Sequence, residues 1–503
     1  MRLPIIYVRG FAGTTSGIDK AIDDPFYGFN EGSVHVRVGG DGTPHFYQFE
    51  SPMLRLMVDE GYQLLVHGSQ MGYLLGKPDK TVPKESIWVH RFYDESASTL
   101  GRKPTDFTLE KAAADLFELV KLVLVKTGAA RVHLVAHSMG GLICRSMIQR
   151  VIPEVTGRVD GAVDFVERLF TYGTPHGGIE FAVGFGLAEM LRDTIGIGGV
   201  EIFGPERMYQ YLTPNLPGAA RARRRPAQWR PEAIPDQGFP KERVFCLVGT
   251  NPEDYAAALG LSSKAVGVQS DGLVQIQNAS VHGAHRAYVH RSHSGRYGIV
   301  NSEEGYQNLR RFLFGDLQVA VDLVGIQLAR AQRDITWQLE TQLAIRGLPI
   351  LMHEQTAAHH CPIPLKATDS SVPLLTTFLS SDLSVRPEGS PTLRHAFRLR
   401  MISLQERGGI LGFGEHLEQI ADFDDTLVVD VAPGDGQGPP RAWAAWNSVI
   451  PGAIRTWKPD GTAPLQDLAP QPGIWRGEVR LPPSARGILD SSAAIQLTVT
   501  RRR

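Results

Sequence analysis

The chain has 503 residues, of which 42% are hydrophobic and 21% are charged, and its formal net charge is −1. This composition is typical of globular proteins and argues against a disordered chain. A charge near zero also argues against a nucleic-acid-binding protein, so we expect no nucleic-acid partner. The length predicts two or three domains with ample material for a large core.

The cysteines and the N-terminus indicate the compartment. Cys144, Cys246 and Cys361 show no paired spacing, which indicates neither a disulfide framework nor a zinc site. We expect no metal ion, with a structural calcium ion as the alternative. The apolar stretch at residues 3–7 is too short for the core of a signal peptide. No stretch approaches the length of a transmembrane helix. These features favour the cytoplasm, with leaderless secretion as the alternative.

Strand and helix patterns alternate in the first part of the chain. The periodicity of residues 109–126 predicts an amphipathic helix, and a second helical pattern runs from 139 to 149, where Pro153 is expected to stop it. Apolar runs predict strands at residues 4–8, 87–92, 132–136, 168–172 and 244–248. This alternation predicts a mostly parallel sheet flanked by helices.

Two composition shifts suggest the domain organisation. Residues 179–241 are rich in Gly, Pro and Arg and are predicted to form a cap or lid insertion. A closing helix is predicted over 302–314, capped by Asn301 with Glu304. From residue 316 onward, apolar and polar residues alternate between turn signals, as in an antiparallel β-sandwich. We therefore predict a catalytic domain at 1–315 and a β-rich accessory domain at 316–503.

One short segment has the pattern of a nucleophile elbow. Residues 134–141 read Leu-Val-Ala-His-Ser-Met-Gly-Gly, with the small residues Ala136 and Gly140 two positions before and after Ser138. A serine between a strand and a helix sits on a tight turn that lifts its hydroxyl above the sheet. The positive end of the following helix then faces developing negative charge. We predict Ser138 as the nucleophile; the alternative is an ordinary strand–helix turn.

A glycine-rich loop after the first predicted strand could supply an oxyanion hole. Residues 5–13 read Ile-Ile-Tyr-Val-Arg-Gly-Phe-Ala-Gly. We predict that the backbone N–H groups of Phe11 and Met139 together hold the oxyanion. The alternative is a plain strand followed by a turn.

The catalytic acid is predicted in the segment Val-Gln-Ser-Asp-Gly-Leu-Val at residues 268–274. Asp271 lies on a turn before an apolar run, where a carboxylate can orient a histidine and stabilise its imidazolium. Asp254 lies nearer the end of the preceding strand and is the competing candidate.

The catalytic base is predicted among the histidines at 282, 285, 290 and 293. His293 lies in Ser-His-Ser-Gly before the closing helix and fits best, and His290 is second. The order Ser138, Asp271, His293 along the chain is the order of the α/β-hydrolase fold.

These motifs resemble those of α/β-hydrolases of the microbial lipase and esterase type. Residues 136–141 resemble the elbow of bacterial lipases that carry alanine at the first small position. Residues 172–178, Tyr-Gly-Thr-Pro-His-Gly-Gly, resemble a strand end of many lipases and of the GPI inositol-deacylase-like group. Asp271-Gly-Leu-Val and its 22-residue separation from His293 resemble the acid loop of bacterial lipases. The resemblance covers about residues 1–315.

The resemblance implies a serine hydrolase that cleaves carboxylic esters of lipid-like substrates through an acyl-enzyme, without a cofactor. A phospholipase or an acyltransferase could use the same triad, and a catalytically silent binding protein could retain the fold. The basic residues 221–225, Arg-Ala-Arg-Arg-Arg, could attract an anionic head group or the surface of a membrane. The alternative for this stretch is a solvated loop.

Overall fold

The computed structural model divides into two compact units. The first contains residues 1–286 and 290–306, and the second contains residues 287–289 and 307–503. The boundary that we predict between the two domains, after residue 315, stays a prediction. The structure describes residues 2–10, 33–38, 44–49, 52–65, 70–90, 92, 108–179, 201–253, 268–294, 298–329, 335–380, 392–407, 416–433, 440–459, 463–468 and 471–502.

A seven-stranded sheet forms the centre of the α/β fold. The strands before residue 290 are β1 (Ile5–Val8), β2 (Ser33–Val38), β3 (Pro44–Phe49), β4 (Gln63–Leu64), β5 (Ser86–His90), β6 (Val132–His137), β7 (Val166–Tyr172), β8 (Val244–Gly249) and β9 (His285–Val289). The sheet has the order β4-β5-β1-β6-β7-β8-β9, and β2 and β3 form a separate antiparallel pair. The pairings from β4 to β8 are all parallel.

The strand order places a topological switch at the middle of this sheet. The chain passes from β1 to the edge strand β4, returns to β5 beside β1, and then crosses to β6 on the other side of β1, from which β7, β8 and β9 extend outward. In open α/β sheets, ligands bind beyond the carboxyl ends of the strands at such a switch. The segments that follow β1 and β6 are therefore the expected location of a site, and they carry the glycine-rich loop and Ser138.

The helices described for this part of the chain are α1 (Pro52–Glu60), α2 (Gln70–Leu75), α3 (Leu109–Thr127), α4 (Met139–Ser146), α5 (Ile152–Thr156), α6 (Pro205–Leu212) and α7 (Glu303–Phe314). Helix α3 buries the apolar face that its periodicity predicts, and Thr108 caps it by accepting a hydrogen bond from the Lys111 N–H. At the other end, Gly128 takes the left-handed conformation that commonly ends a helix. No helix among the described residues combines the length and apolarity that crossing a membrane requires.

Two details of the helices differ from expectation. Pro153 does not stop the helix after Ser138, because a π-helical segment (Met147–Val151) leads directly into α5, with Pro153 in its first turn. The cap of α7 is Ser302 and not Asn301, since the Ser302 hydroxyl accepts a hydrogen bond from the Gly305 N–H at 3.0 Å.

The predicted insertion lies between β7 and β8. Its described part, residues 201–241, contains α6 and a proline-rich segment. The buried side of α6 packs against α4, where the Ser146 hydroxyl donates a hydrogen bond to the Tyr211 carbonyl at 2.8 Å. The first part of the predicted insertion, residues 180–200, lies outside the described residues.

The second unit is an antiparallel β-structure of two sheets. Its strands are β10 (Leu317–Val324), β11 (Thr336–Ile345), β12 (Leu351–Gln355), β13 (Ile363–Leu365), β14 (Ser371–Leu379), β15 (Leu393–Arg407), β16 (His416–Ala432), β17 (Arg441–Trp446), β18 (Ile474–Arg480) and β19 (Ala494–Arg501). One sheet has the order β14-β10-β19-β18 and the other β12-β11-β15-β16-β17, with β13 beside β11. Alternate residues of both sheets share one apolar core, as the alternating sequence predicts.

Candidate active site

Ser138 occupies the turn between β6 and α4 in a strained backbone conformation. Its φ is 53° and its ψ is −129°, which a residue with a side chain rarely adopts and which costs about 1–3 kcal/mol. Three hydrogen bonds hold this turn. The Ser138 N–H donates to the Tyr172 carbonyl at 2.9 Å, and the Ser138 carbonyl accepts from the Gly141 N–H at 3.0 Å and from the Thr174 hydroxyl at 2.8 Å.

Two glycines allow neighbouring chain segments to approach this turn closely. A Cβ atom at Gly140 would overlap the carbonyl oxygens of Val8 and Arg9, at the end of β1. A Cβ atom at Gly10 would lie 2.6 Å from the Cβ of Ser138. The end of β1 therefore lies directly against the turn at Ser138, and only residues without a side chain fit at these two contacts.

A continuous hydrogen-bonded chain connects the serine, the histidine and the aspartate. The distance from His293 Nε2 to Ser138 Oγ is 2.9 Å, and the distance from His293 Nδ1 to Asp271 Oδ2 is also 2.9 Å. All three side chains are at least 96% buried. This geometry is that of a nucleophile, a general base and an orienting carboxylate.

The loop after β8 fixes the carboxylate of Asp271. Its Oδ1 accepts hydrogen bonds from the backbone N–H groups of Leu273 at 3.1 Å and Val274 at 2.8 Å, which leaves Oδ2 for His293. The Asp271 carbonyl also accepts a hydrogen bond from the backbone N–H of His293 at 2.8 Å. The acid loop therefore holds both the ring and the main chain of the histidine.

The structure also places the competing candidates. His290 is exposed, and its Nδ1 lies 3.4 Å from the Thr250 hydroxyl, whereas His293 contacts Ser138. Asp254 and Phe11 lie outside the described residues. Met139 is the first residue of α4, where backbone N–H groups have no intrahelical acceptor. The part of the predicted oxyanion hole that is described is therefore the helix end beside Ser138.

His137 is a neighbour of the site that sequence reasoning did not single out. Its Nε2 donates a hydrogen bond to the main-chain carbonyl of His293 at 2.9 Å, and the two ring centroids are 4.8 Å apart. Burial, and then the proximity of His293 and Arg9, lower the pKa of His137 well below its ordinary value, despite the hydrogen bond, which raises it. Its place in the sequence is the variable position of the elbow pattern, so the pattern carried no signal for it.

A buried arginine supports the loop behind the nucleophile helix. Arg145 of α4 is fully buried, and it donates hydrogen bonds to the carbonyls of His176 at 3.1 Å and Ala233 at 3.0 Å and to Gln149 Oε1 at 2.8 Å. Burial lowers its pKa to about 10, so it stays charged at neutral pH. Arg145 thus joins α4 and the loop at 173–178 to the insertion. A charged residue within an apolar helix was the sequence signal available for it.

His176, in the same loop, has a structural environment. Its Nε2 lies 3.1 Å from the Thr171 hydroxyl and 3.5 Å from Cys246 Sγ. Burial and then the charge of Arg145 lower the pKa of His176 well below its ordinary value. It is therefore a neutral core histidine beneath the site. No group of three or more metal-binding side chains occurs among the described residues.

The strand order, the strained turn at the central switch and the order of the three side chains along the chain define the α/β-hydrolase fold. No family model matches the chain. The chain is similar to phospholipase PlaB from Legionella pneumophila, with 12% sequence identity. The match covers 81% of this chain and 87% of that chain, and the TM-score is 0.31.

Two further solved structures are similar to this chain. For the Bacillus licheniformis lipase BlEst2 in its mature form, the identity is 17%, the coverage is 62% of this chain and 91% of that chain, and the TM-score is 0.30. The lin2722 gene product of Listeria innocua has 14% sequence identity to this chain, and the match covers 62% of this chain and 94% of that chain. Its TM-score is 0.26. All three TM-scores are below 0.5, so the fold is assigned from the strand order and elbow of this chain.

Proposed function

We propose that the chain is a serine hydrolase that cleaves carboxylic esters of lipid-like substrates. The observation that carries the proposal is the hydrogen-bonded chain from Ser138 through His293 to Asp271, which begins on a strained elbow. Such strain persists only where the surrounding structure holds it, and it is concentrated at functional sites. A buried serine whose hydroxyl meets an oriented imidazole is suited to acyl transfer.

The proposed reaction has two acyl-transfer steps. Ser138 Oγ attacks the ester carbonyl carbon while His293 Nε2 takes the hydroxyl proton, and the backbone N–H groups of Phe11 and Met139 stabilise the oxyanion. Collapse of the tetrahedral intermediate breaks the ester bond, and His293 returns the proton to the leaving alcohol. Water then attacks the acyl-enzyme, His293 takes its proton, and the carboxylic acid leaves as Ser138 regains a proton. Asp271 holds the imidazole in the required tautomer throughout.

The hydrolase assignment is tested with p-nitrophenyl esters of increasing acyl length, with wild type and Ser138→Ala, and with a fluorophosphonate probe. We expect wild-type hydrolysis, labelling of Ser138, and loss of both in the variant. A preference for long acyl chains would support the lipid-like substrate. Labelling of Ser138 without hydrolysis of any ester would refute ester hydrolysis but retain the nucleophile. The absence of both hydrolysis and labelling would refute the assignment and would favour a binding protein.

We further propose that the insertion contacts an anionic membrane surface through its basic loop. The outer arginines are held in place: Arg221 donates to the carbonyls of Gln210 at 2.6 Å and Thr213 at 3.0 Å, and Arg225 pairs with Glu206 at 2.9 Å. Arg223 and Arg224 between them are exposed and make no hydrogen bond or ion pair to the described residues. The loop therefore presents two unneutralised charges on a fixed backbone.

This contact is tested by co-sedimentation with vesicles of phosphatidylglycerol and phosphatidylcholine, on a Ser138→Ala background that leaves the lipid intact. Each arginine near an anionic surface contributes about 1 kcal/mol. Replacing Arg223 and Arg224 by Gln should therefore weaken binding about 30-fold. Arg158→Gln is the matched control, since Arg158 is exposed but pairs with Asp160 and Asp164. Equal binding by the double variant and the control would refute the contact.

A further inference from the structure

Hydrogen bonds to described residues reach each of the four polar atoms of His293. Its main-chain N–H and its Nδ1 bond to Asp271, and its Nε2 bonds to Ser138. The fourth bond holds the main-chain carbonyl, and its donor is Nε2 of His137. Asp271 therefore fixes one side of the base, and His137 fixes the other.

His137 is also covalently adjacent to the nucleophile. Two hydrogen bonds and the covalent chain therefore form a closed ring. One hydrogen bond joins Ser138 Oγ to the ring of His293, and the other joins the main-chain carbonyl of His293 to the ring of His137. The peptide bond between His137 and Ser138 closes the ring. Few rotatable bonds lie in this closed ring, so a fixed His137 leaves little freedom in the distance between nucleophile and base. Misplacement by 1 Å at such a contact can lower a rate by about 100-fold.

The charge state of His137 is compatible with this task. The charged or titratable groups that act on it are His293 and Arg9, and together with burial they keep its imidazole neutral. A neutral ring that donates through Nε2 holds its free electron pair on Nδ1. It therefore places no second positive charge beside His293 when that residue accepts the serine proton.

We propose that His137 is a positioning residue, which sets the distance between His293 and Ser138 by holding the main-chain carbonyl of His293. The inference rests on the proposed function and extends it to the residue before the nucleophile. His137 acts through His293 and takes no proton from Ser138, because its Nε2 is bonded to the carbonyl.

Two substitutions separate the hydrogen bond from the ring. His137→Phe keeps an aromatic ring but removes the N–H group that donates to the His293 carbonyl. In His137→Gln, the side-chain amide nitrogen reaches about as far as imidazole Nε2 and can still donate this hydrogen bond. We expect His137→Phe to lower kcat about 10- to 100-fold with KM unchanged, and His137→Gln to restore most of kcat. His282→Phe is the matched control, because His282 is exposed and its ring makes no hydrogen bond to the described residues.

The experiment measures kcat, KM, the rate of Ser138 labelling by a fluorophosphonate, and the melting temperature. A lower kcat and labelling rate in His137→Phe, with recovery in His137→Gln at equal melting temperature, supports the proposal. Wild-type rates in His137→Phe, or equal losses in both variants, would overturn it. The first outcome would show that the hydrogen bond is dispensable, and the second that any change there disturbs the fold.

A separate readout distinguishes failure of this inference from failure of the proposed function. The Nδ1 proton of His293, shared with Asp271, can be followed by proton NMR in ¹⁵N-histidine-labelled protein. If wild type is neither active nor labelled, the hydrolase proposal fails. The positioning role is then decided by this signal, which should persist in wild type and His137→Gln and broaden in His137→Phe. An unchanged signal in His137→Phe would overturn it.

Discussion

The two units of the molecule bury histidines in different environments. In the α/β unit, both ring nitrogens of His293 have partners, Ser138 and Asp271, which come from loops more than 20 residues away along the chain. In the β unit, His395 lies within β15, fully buried, and neither of its ring nitrogens has a partner among the described residues. Its neighbours across the sheet are Ile345 and Val429. Burial alone therefore does not distinguish the candidate catalytic histidine from a core one.

The difference arises from position in the secondary structure. His293 lies on a loop beyond a strand end of a parallel sheet, where segments distant in sequence converge. His395 lies near the start of β15, fully buried between the apolar residues Ile345 and Val429 of the neighbouring strands. Polar groups converge on His293 at one edge of the first unit, whereas no described polar group of the second unit forms a hydrogen bond with the ring of His395.

Buried arginines repeat this contrast. Arg145 in the α/β unit forms no ion pair with a carboxylate of the described residues and donates to carbonyl and amide oxygens of three segments. Arg394 in the β unit forms a two-point ion pair with Asp430 of the adjacent strand, with both distances 2.7 Å. The first connects loops around a site, and the second joins neighbouring strands. Four predictions test this contrast between the units.

The largest expected effect is on catalysis in the α/β unit. Ser138→Ala removes the nucleophile and should lower kcat roughly 10⁶-fold. Because the backbone strain at residue 138 remains and the side chain changes little in size, the melting temperature should stay close to that of wild type. Ester hydrolysis and calorimetry measure the two quantities. Substantial residual turnover by pure variant would mean that another group reacts with the ester.

A somewhat smaller loss is expected from Asp271→Asn. The amide keeps the shape of the carboxylate but lacks the charge that stabilises the imidazolium, and kcat should fall about 10⁴-fold. Asp236→Asn is the matched control, because Asp236 is an exposed acid that pairs with Lys241. The comparison of kcat for the two variants is the measurement. Similar values for both would remove Asp271 from the proposed triad.

In the β unit the same type of substitution should affect stability. Asp430→Asn leaves the buried Arg394 without its counter-charge and should lower the free energy of unfolding by about 3–5 kcal/mol. Asp424→Asn on the same strand is the control, because its pair with Arg398 is partly exposed and such pairs contribute about 1 kcal/mol or less. Five of the seven tryptophans lie in this unit, so denaturant unfolding followed by tryptophan fluorescence reports on it.

The smallest predicted effect concerns acid stability. Burial lowers the pKa of His395 to about 4, below the value of about 6.5 expected in the unfolded chain. As the pH falls, the unfolded state therefore binds a proton before the folded state does. The free energy of unfolding is highest above pH 6.5 and should decrease by about 3 kcal/mol as the pH falls to about 4.

His395→Phe should remove this part of the pH dependence, since phenylalanine carries no titratable group. The measurement is the difference in unfolding free energy between wild type and variant at pH 7 and pH 4.5, by the same fluorescence signal. A difference that does not change with pH would mean that His395 finds a partner or solvent in the folded state.

Much of the α/β unit could be predicted from local pattern. The predicted strands at 132–136 and 244–248 correspond to Val132–His137 and Val244–Gly249, and the predicted helix over 109–126 corresponds to Leu109–Thr127. The predicted fold class is confirmed. Long apolar runs and amphipathic periodicity carry a strong signal because burial of one face is a local requirement. Strand β9, with its mixed sequence His-Arg-Ala-Tyr-Val, was not predicted.

The candidate site was predictable only in part. Ser138 follows from the strained turn that its small neighbours permit, and Asp271 and His293 follow from their order along the chain. The choice of His293 over His290 rested on loop context, and the 2.9 Å contact with Ser138 is a property of the folded chain. The role of His137 had no local signal, because its partner lies 156 residues away. Arg145 stood out as a charged residue in an apolar helix, but its two carbonyl partners lie 31 and 88 residues away along the chain.

The sequence by itself determined the alternation of strands and helices, the elbow around Ser138 and the change to an alternating β pattern beyond residue 316. These features depend on residues near one another in the chain. Only the tertiary structure decided which histidine meets the serine, which carbonyl groups surround the buried Arg145, and where His395 lies. Those outcomes depend on distances between segments that the chain order does not constrain, and such distances arise when the sheets pack.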